Sequence, residues 1–370
     1  MEFLYYVCST LNTLPMLKFY KSLVFALLMV ISFQITAQNK VIGYSTSWAG
    51  NEDEIQYGKL THLNFAFIFP NTDGSISELE DTEKLRRIVE KAHEQDVKVY
   101  ISVAGWNLGS ESKEDGLWET VAENTKSRKL FVKQLMNFVS NYHLDGVDIY
   151  WTYPLSTHAS NSYLSLMTEL NHQLTAKGKG LSAVVAPIGE MAENFPKEVF
   201  ALVDHLNILS YESKDSASFG YDFAHKSLNY WIMKGLSKEK AIVGIPFHTK
   251  YAWDSYENIV ARGASPFDCY HRGEQYNGIN QVLAKTELAR GNAGGVMIWE
   301  VTHDVEGSHS LLTAIDQIKK GVLASHHINT LSNVKAAIVP HKEVLLERVL
   351  VVDSIDAATN QVVKKVIQKD

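Results

Sequence analysis

"DGVDIYWTYP", residues 145–154, is a short apolar run in which polar and aromatic side chains alternate with aliphatic ones. Val, Ile, Tyr and Trp at this density favour a strand. Residues two apart on a strand share a face, so Asp148, Tyr150 and Thr152 point together, and Asp145 has the opposite parity. Immediately upstream, "SRKLFVKQLMNFVSNYH" (127–143) carries helical spacing, and before it "VKVYISVAGW" (97–106) is another strand. Further runs of the same kind are "VIGYST" (41–46), "LTHLNFAFIF" (60–69), "LSAVVAP" (181–187), "HLNILSY" (205–211), "AIVGIPF" (241–247) and "GGVMIWE" (294–300). With "LDGVDIYW" (144–151) they make eight. Between the second and third, "DTEKLRRIVEKAHEQ" (81–95) places Leu85, Ile88, Val89 and Ala92 on one helical face. Strand then helix, repeated eight times, predicts an α/β chain folded as one (β/α)8 TIM barrel, with an open doubly wound sheet as the alternative. No phosphate-cradling glycine loop follows the first strand, which argues against a nucleotide site.

Composition agrees with an ordinary globular protein: 370 residues, 45% hydrophobic and 21% charged, enough for a sizeable core. The net charge of −7 disfavours a nucleic-acid partner, which needs a basic face. Residues 16–38, "MLKFYKSLVFALLMVISFQITAQ", combine Lys18 and Lys21, an apolar stretch and a cleavage site after Ala37, the pattern of a secretory signal. A membrane anchor is the rival reading of that run. Residues 1–37 are therefore expected to be a signal region, 38–323 the barrel, and 324–370 an extension read as a hairpin, a helix or a sorting appendage. Export predicts a secreted, periplasmic or extracellular protein. With Cys8 removed, Cys269 is alone and no intrachain disulfide forms.

In such a barrel, function sits where strands end. There the signature 145–154 resembles the "DxxDxDxE" motif of glycoside hydrolase family 18, the chitinases and their relatives. Four further segments are similar to that family in order: "YSTSW" (44–48) and "LNFAFIFP" (63–70) for the first two strands, "SVAGW" (102–106) for "SxGGW", and "LSYE" (209–212) for "MxYD". "GGVMIWEVTHDVEGSHSLLTAI" (294–315) looks like the eighth strand and its helix. The likeness runs over roughly residues 40–320. The stretch from Phe247 to Gly294 is too short for the large inserted α+β lobe of some relatives, so a shallower groove is expected.

The resemblance implies a mechanism in which a Glu closing the signature protonates the glycosidic oxygen and the Asp two residues earlier orients the substrate's acetamido group, which attacks the anomeric carbon. Here those positions hold Thr152 and Tyr150. A threonine has no proton to exchange near neutral pH, and a phenol of pKa about 10 is a poor acid for a sugar leaving group. Asp145 and Asp148 are expected to be architectural. Glu190, Glu212 and Glu300 follow strands and lie near the mouth, and Glu212 is the best rescue candidate. The resemblance also implies a binding apparatus: Trp299 under the sugar, Tyr211 beside the acetamido group, and Tyr44, Trp48, Phe65 and Trp106 as further cleft residues, with Glu212 toward a hydroxyl. Apolar sugar faces stack on such rings. The histidines, including "THD" (302–304) and His271, match no zinc spacing, and neither metal nor cofactor is expected.

The residues therefore predict a secreted chitinase-like protein that binds chitin or another N-acetylglucosamine glycan without cleaving it. Two alternatives stand: a weak or altered glycosidase of the chitinase or endo-N-acetylglucosaminidase type using Glu212, and a barrel recruited as a protein-binding scaffold. A bulky Tyr150 in the deepest site would either stack on a sugar or block it.

Overall fold

A computed structural model describes residues 40–105, 116–151, 154–214 and 217–321, together with the backbone of two strands near the carboxyl end. The amino-terminal segment read as a signal, and most of the carboxyl-terminal extension, lie outside the described residues.

Eight parallel strands close into a barrel. They are β1 (Lys40–Thr46), β2 (His62–Ile68), β3 (Lys98–Ala104), β4 (Gly146–Tyr150), β5 (Gly180–Val185), β6 (His205–Ile208), β7 (Ala241–Pro246) and β10 (Gly295–Trp299); β8 (Tyr270–His271) and β9 (Glu274–Gln275) form a two-residue ribbon outside it. β1 pairs with both β2 and β10, which removes the sheet's edges. Each predicted run holds a strand, so the barrel wins over the open sheet. β6 ends at Ile208 rather than 211: Ser210 N and Tyr211 N donate to Ile208 O and Leu209 O, and the chain turns out of the ladder.

Helices cover the outside. Thr82–His93 starts where the Asp81 carboxylate accepts from Lys84 N at 2.8 Å, and it buries Leu85, Ile88, Val89 and Ala92, the face read from the sequence. Thr125–Asn141 is capped by Asn124 and Thr157–Thr175 by Ser156. Between β7 and β10 stand only the helix Tyr256–Ala261, the β8–β9 ribbon and the helix Ile279–Asn292, so no large lobe is inserted.

The strand period of two divides the apolar residues into two clusters. Odd-numbered residues such as Leu63, Phe65, Val99, Ile101, Val147 and Ile149 pack outward against the helices, with Trp118, Trp151 and Trp231 fully buried among them. Ile42, Tyr44, Ala66, Ala104, Val184, Ile242 and Met297 belong to the separate inner cluster. At the barrel floor Tyr100 lies across the strands, and Gly146 and Gly180 make room for it: a Cβ on either would fall within 2.6 Å of its ring or hydroxyl. Near the carboxyl end, β11 (Leu350–Ile355) and β12 (Val362–Ile367) pair antiparallel.

Candidate functional site

β4 lies between β3 and β5 with Asp148 in register with Ser102 on one side and Ser182 on the other. That register makes a polar layer inside the barrel. One oxygen of Asp148 accepts from Tyr44 Oη at 2.6 Å and Ser102 Oγ at 2.8 Å; the other accepts from Ser182 Oγ at 2.6 Å and Asn207 Nδ2 at 3.2 Å. The carboxyl is 0% exposed. Burial pushes its pKa up, and the four donors pull against that rise. Burial also pushes the Tyr44 phenol well up, with the Asp148 charge adding to it. Both groups are thus committed to one another.

Above this layer the mouth is aromatic. Trp299, partly exposed at the end of β10, meets Phe67 in a stacked arrangement with centroids 5.8 Å apart and Tyr44 in a tilted one at 5.3 Å. Tyr150, also partly exposed, abuts Phe67 edge-on at 5.5 Å, and Trp48, 44% exposed, leans on Phe67 at 6.0 Å. Tyr211 sits beside Gly244, whose missing side chain admits its ring, and packs edge-on against Phe219 and His248. His248 is buried beneath the exposed Trp253, rings parallel at 4.3 Å, and burial brings its pKa down to about 4.

The carboxylates read from the sequence separate in space. Asp145 precedes β4 at the barrel floor, where it accepts from Val99 N at 2.9 Å and pairs with His93 Nε2 at 2.8 Å. Glu190 is exposed. Glu300 is 2% exposed and pairs with His303 Nε2 at 3.0 Å. Glu212 is partly exposed and directly follows Tyr211.

Two expected cleft residues are corrected. Phe65 is 0% exposed and belongs to the outer, helix-facing cluster, because its parity on β2 opposes that of Asn64 and Ala66. Tyr44 faces inward but is also 0% exposed, so it supports the floor under Trp299 rather than presenting a surface. Trp106 and Thr152 lie outside the described residues.

Phe67 was not among the expected site residues. It shares the parity of Phe65 yet sits in the inner cluster, because the pairing of β2 with β3 slips between Ala66 and Ile68. The sequence carries no mark of that slip beyond a run of aromatics. Asn207, Ser102 and Ser182 were also missed. Their signal was available in principle, as polar residues inside otherwise apolar strands. Among the described residues no group of three or more His, Cys, Asp or Glu is placed to hold a metal ion.

The sequence profile of glycosyl hydrolases family 18 matches residues 40–304. The chain is similar to a "chitinase-like effector" of Moniliophthora roreri, 26% identical over 62% of this chain and 64% of that protein. It is also similar to "Probable chitinase 10" of Drosophila melanogaster, 22% identical over 58% of this chain and 11% of that one. The chain therefore spans less than two thirds of the length of either relative. Among solved structures, the GH18 chitinase ChiB from the chitin utilization locus of Flavobacterium johnsoniae superposes with a TM-score of 0.66 at 26% identity, over 77% of this chain and 95% of that one. With the profile spanning most of the chain and the barrel closing in the same way, this protein belongs to glycosyl hydrolases family 18.

Proposed function

We propose that this chain is a chitinase-like carbohydrate-binding protein that takes an N-acetylglucosamine-containing glycan across its aromatic mouth and does not hydrolyse it. What carries the reading is that the inner face of β4 offers no acid able to reach a ligand, beginning with Asp148. It is the carboxylate that β4 turns inward, it has no exposed surface, and both its oxygens are held by Tyr44, Ser102, Ser182 and Asn207. A general acid must come within hydrogen-bond reach of the oxygen it protonates, and Asp148 has no path to one. The two following positions of the same parity hold Tyr150 and Thr152, neither of which serves as that acid. Binding needs less: partly exposed Trp299 and exposed Trp48 offer ring faces to apolar sugar faces.

Calorimetric titration of the chain from Gln38 onward with N-acetylglucosamine hexamer tests this directly. Saturable heat that disappears in Trp299→Ala supports the reading, and continuous heat with release of shorter oligomers overturns it. A second reading, slow hydrolysis through Glu212, draws on that residue's partial exposure beside Tyr211. It predicts product formation that Glu212→Gln abolishes. Export belongs to the same proposal: the segment ending at Ala37 is removed, and the mass of the mature chain recovered from its producing cell reports the cut.

A further inference from the structure

The helix Thr82–His93 carries a side chain that its own first turn does not favour. The dipole puts positive potential at a helix start, so acidic residues suit that turn. Glu83 conforms, but the third residue after the Asp81 cap is Lys84. Lys84 is also only 4% exposed, and lysine is rarely buried without partners. Its partners are main-chain carbonyls: Nζ donates to Thr46 O at 2.8 Å, Ala49 O at 2.6 Å and Gly50 O at 3.0 Å, which takes up all three donors of the ammonium. Glu52, Glu300 and Asp81 lend it opposing charge. The three carbonyls belong to one short stretch. Thr46 ends β1, Ser47 N donates to Ala66 O at 2.8 Å, and Gly50 turns the chain at φ +73°, where a Cβ would fall 2.3 Å from the Thr302 side chain. Trp48 stands between the bonded carbonyls of Thr46 and Ala49. It is 44% exposed and meets Phe67 at 6.0 Å, and Phe67 in turn stacks on Trp299. The loop that brings an exposed indole to the mouth is thus gripped by a side chain that is itself buried.

We propose that Lys84 is a positioning residue for glycan recognition: by gathering the carbonyls of Thr46, Ala49 and Gly50 on one ammonium, it fixes the loop so that the Trp48 indole is held against Phe67, ready to take a sugar ring. The inference rests on glycan binding at this mouth. A loop fixed before the ligand arrives loses less conformational freedom on binding, so the energy of stacking appears as affinity. Released from Lys84, the loop keeps its indole but has to order it at each encounter. Lys84→Met isolates this effect, because it keeps most of the aliphatic stem and removes the three donors. Ala49 is partly exposed and Gly50 exposed, so water takes up the carbonyls that the variant frees.

The experiment compares wild type, Lys84→Met, Trp48→Ala and the double variant by calorimetry with N-acetylglucosamine hexamer. Lys84→Met and Trp48→Ala are each expected to weaken binding about tenfold, and the double variant to bind no more weakly than Trp48→Ala, because a residue that acts through Trp48 then has nothing left to act on. A lysine that only supports the fold would not produce that non-additivity. Near-UV circular dichroism and the melting temperature establish that each variant is folded, and Lys84→Gln, which keeps an amide donor, serves if the methionine variant is not. Wild-type affinity in the folded Lys84 variant, or a double variant weakened by the product of the two single effects, overturns the inference and leaves the glycan-binding reading intact. Wild-type affinity in Trp48→Ala does the same, because Lys84 would then position no contact. Silence from the wild type overturns the glycan-binding reading and the inference with it.

Discussion

The floor and the mouth of the barrel are built from the same strands and differ in what burial does to them. At the floor, His62, Tyr100 and His205 lie with ring centroids 5.6–6.2 Å apart, and above them Asp148 is held by four donors. At the mouth the contacts are between carbon faces: Phe67 on Trp299, Tyr150 on Phe67, Tyr44 on Trp299. Polar groups sealed from water contribute only if every partner is present, so the floor is intolerant of change. Ring contacts at a half-exposed rim are individually modest and leave surface free for a ligand. The comparison teaches that the inward carboxylate of β4 is part of the scaffold, whereas the partly exposed aromatics of the mouth are the surface the proposed glycan would meet.

The largest effect that sharpens this contrast is expected at Asp148. Asp148→Ala leaves two serine hydroxyls, a phenol and an amide without their shared acceptor, and should cost about 3–5 kcal/mol in urea unfolding, as removing one member of a buried charged network does. The surviving folded fraction should still bind glycan. Loss of binding at unchanged stability would make Asp148 a ligand residue instead.

Acid should also act on the floor. Burial holds the His62 pKa down to about 3 and that of His205 well below its ordinary value of 6.5. Groups of both signs face this site: Lys40, Lys98 and Asp145 act on His62, and Asp204, Asp145 and Asp148 on Tyr100. Both imidazoles are neutral when folded and bind protons near 6.5 when unfolded. Their contribution is thus complete above about pH 6.5 and is lost as the pH falls toward about 3, at up to about 1.4 kcal/mol per pH unit for each. Melting temperatures across that window should decline, and His205→Met should flatten the decline. An unchanged slope in that variant would show that other groups govern the acid limb.

At the mouth, Trp299→Ala is expected to weaken glycan affinity by about 10- to 100-fold, within the range of a buried aromatic anchor. Retained affinity would move recognition to Trp48 or to the exposed Trp253. The smallest expected effect separates the two faces of β2. Phe65→Leu, inside the outer cluster, should lower stability by about 1 kcal/mol and leave glycan affinity unchanged, because the site faces helices and not ligand.

Much of this was legible before any coordinates. Eight apolar runs, and amphipathic stretches such as 81–95, mark the strands and helices by periodicity, since each period matches one element and one buried face, while closure into a barrel is seen only in the pairing of β1 with β10. The site was legible by type and less so by placement. Trp299 and Tyr150 stand at the mouth. Phe65 and Phe67 are alike in chemistry and in strand parity, yet one faces helices and the other the cleft, because a single slip in β2–β3 pairing re-aims the second. Tyr44 was an expected contact, but its burial depends on what Trp299 and Asp148 do above and beside it.

The sequence by itself determined the eight strand runs, the resemblance to the family and the Tyr150 and Thr152 of its signature stretch, because these are properties of residue identity and local period. Only the tertiary structure decided that Asp148 is sealed by four donors and that Tyr150 of β4 meets Phe67 of β2. Those facts depend on the register between strands distant in sequence and on the space their neighbours leave, which no local pattern encodes.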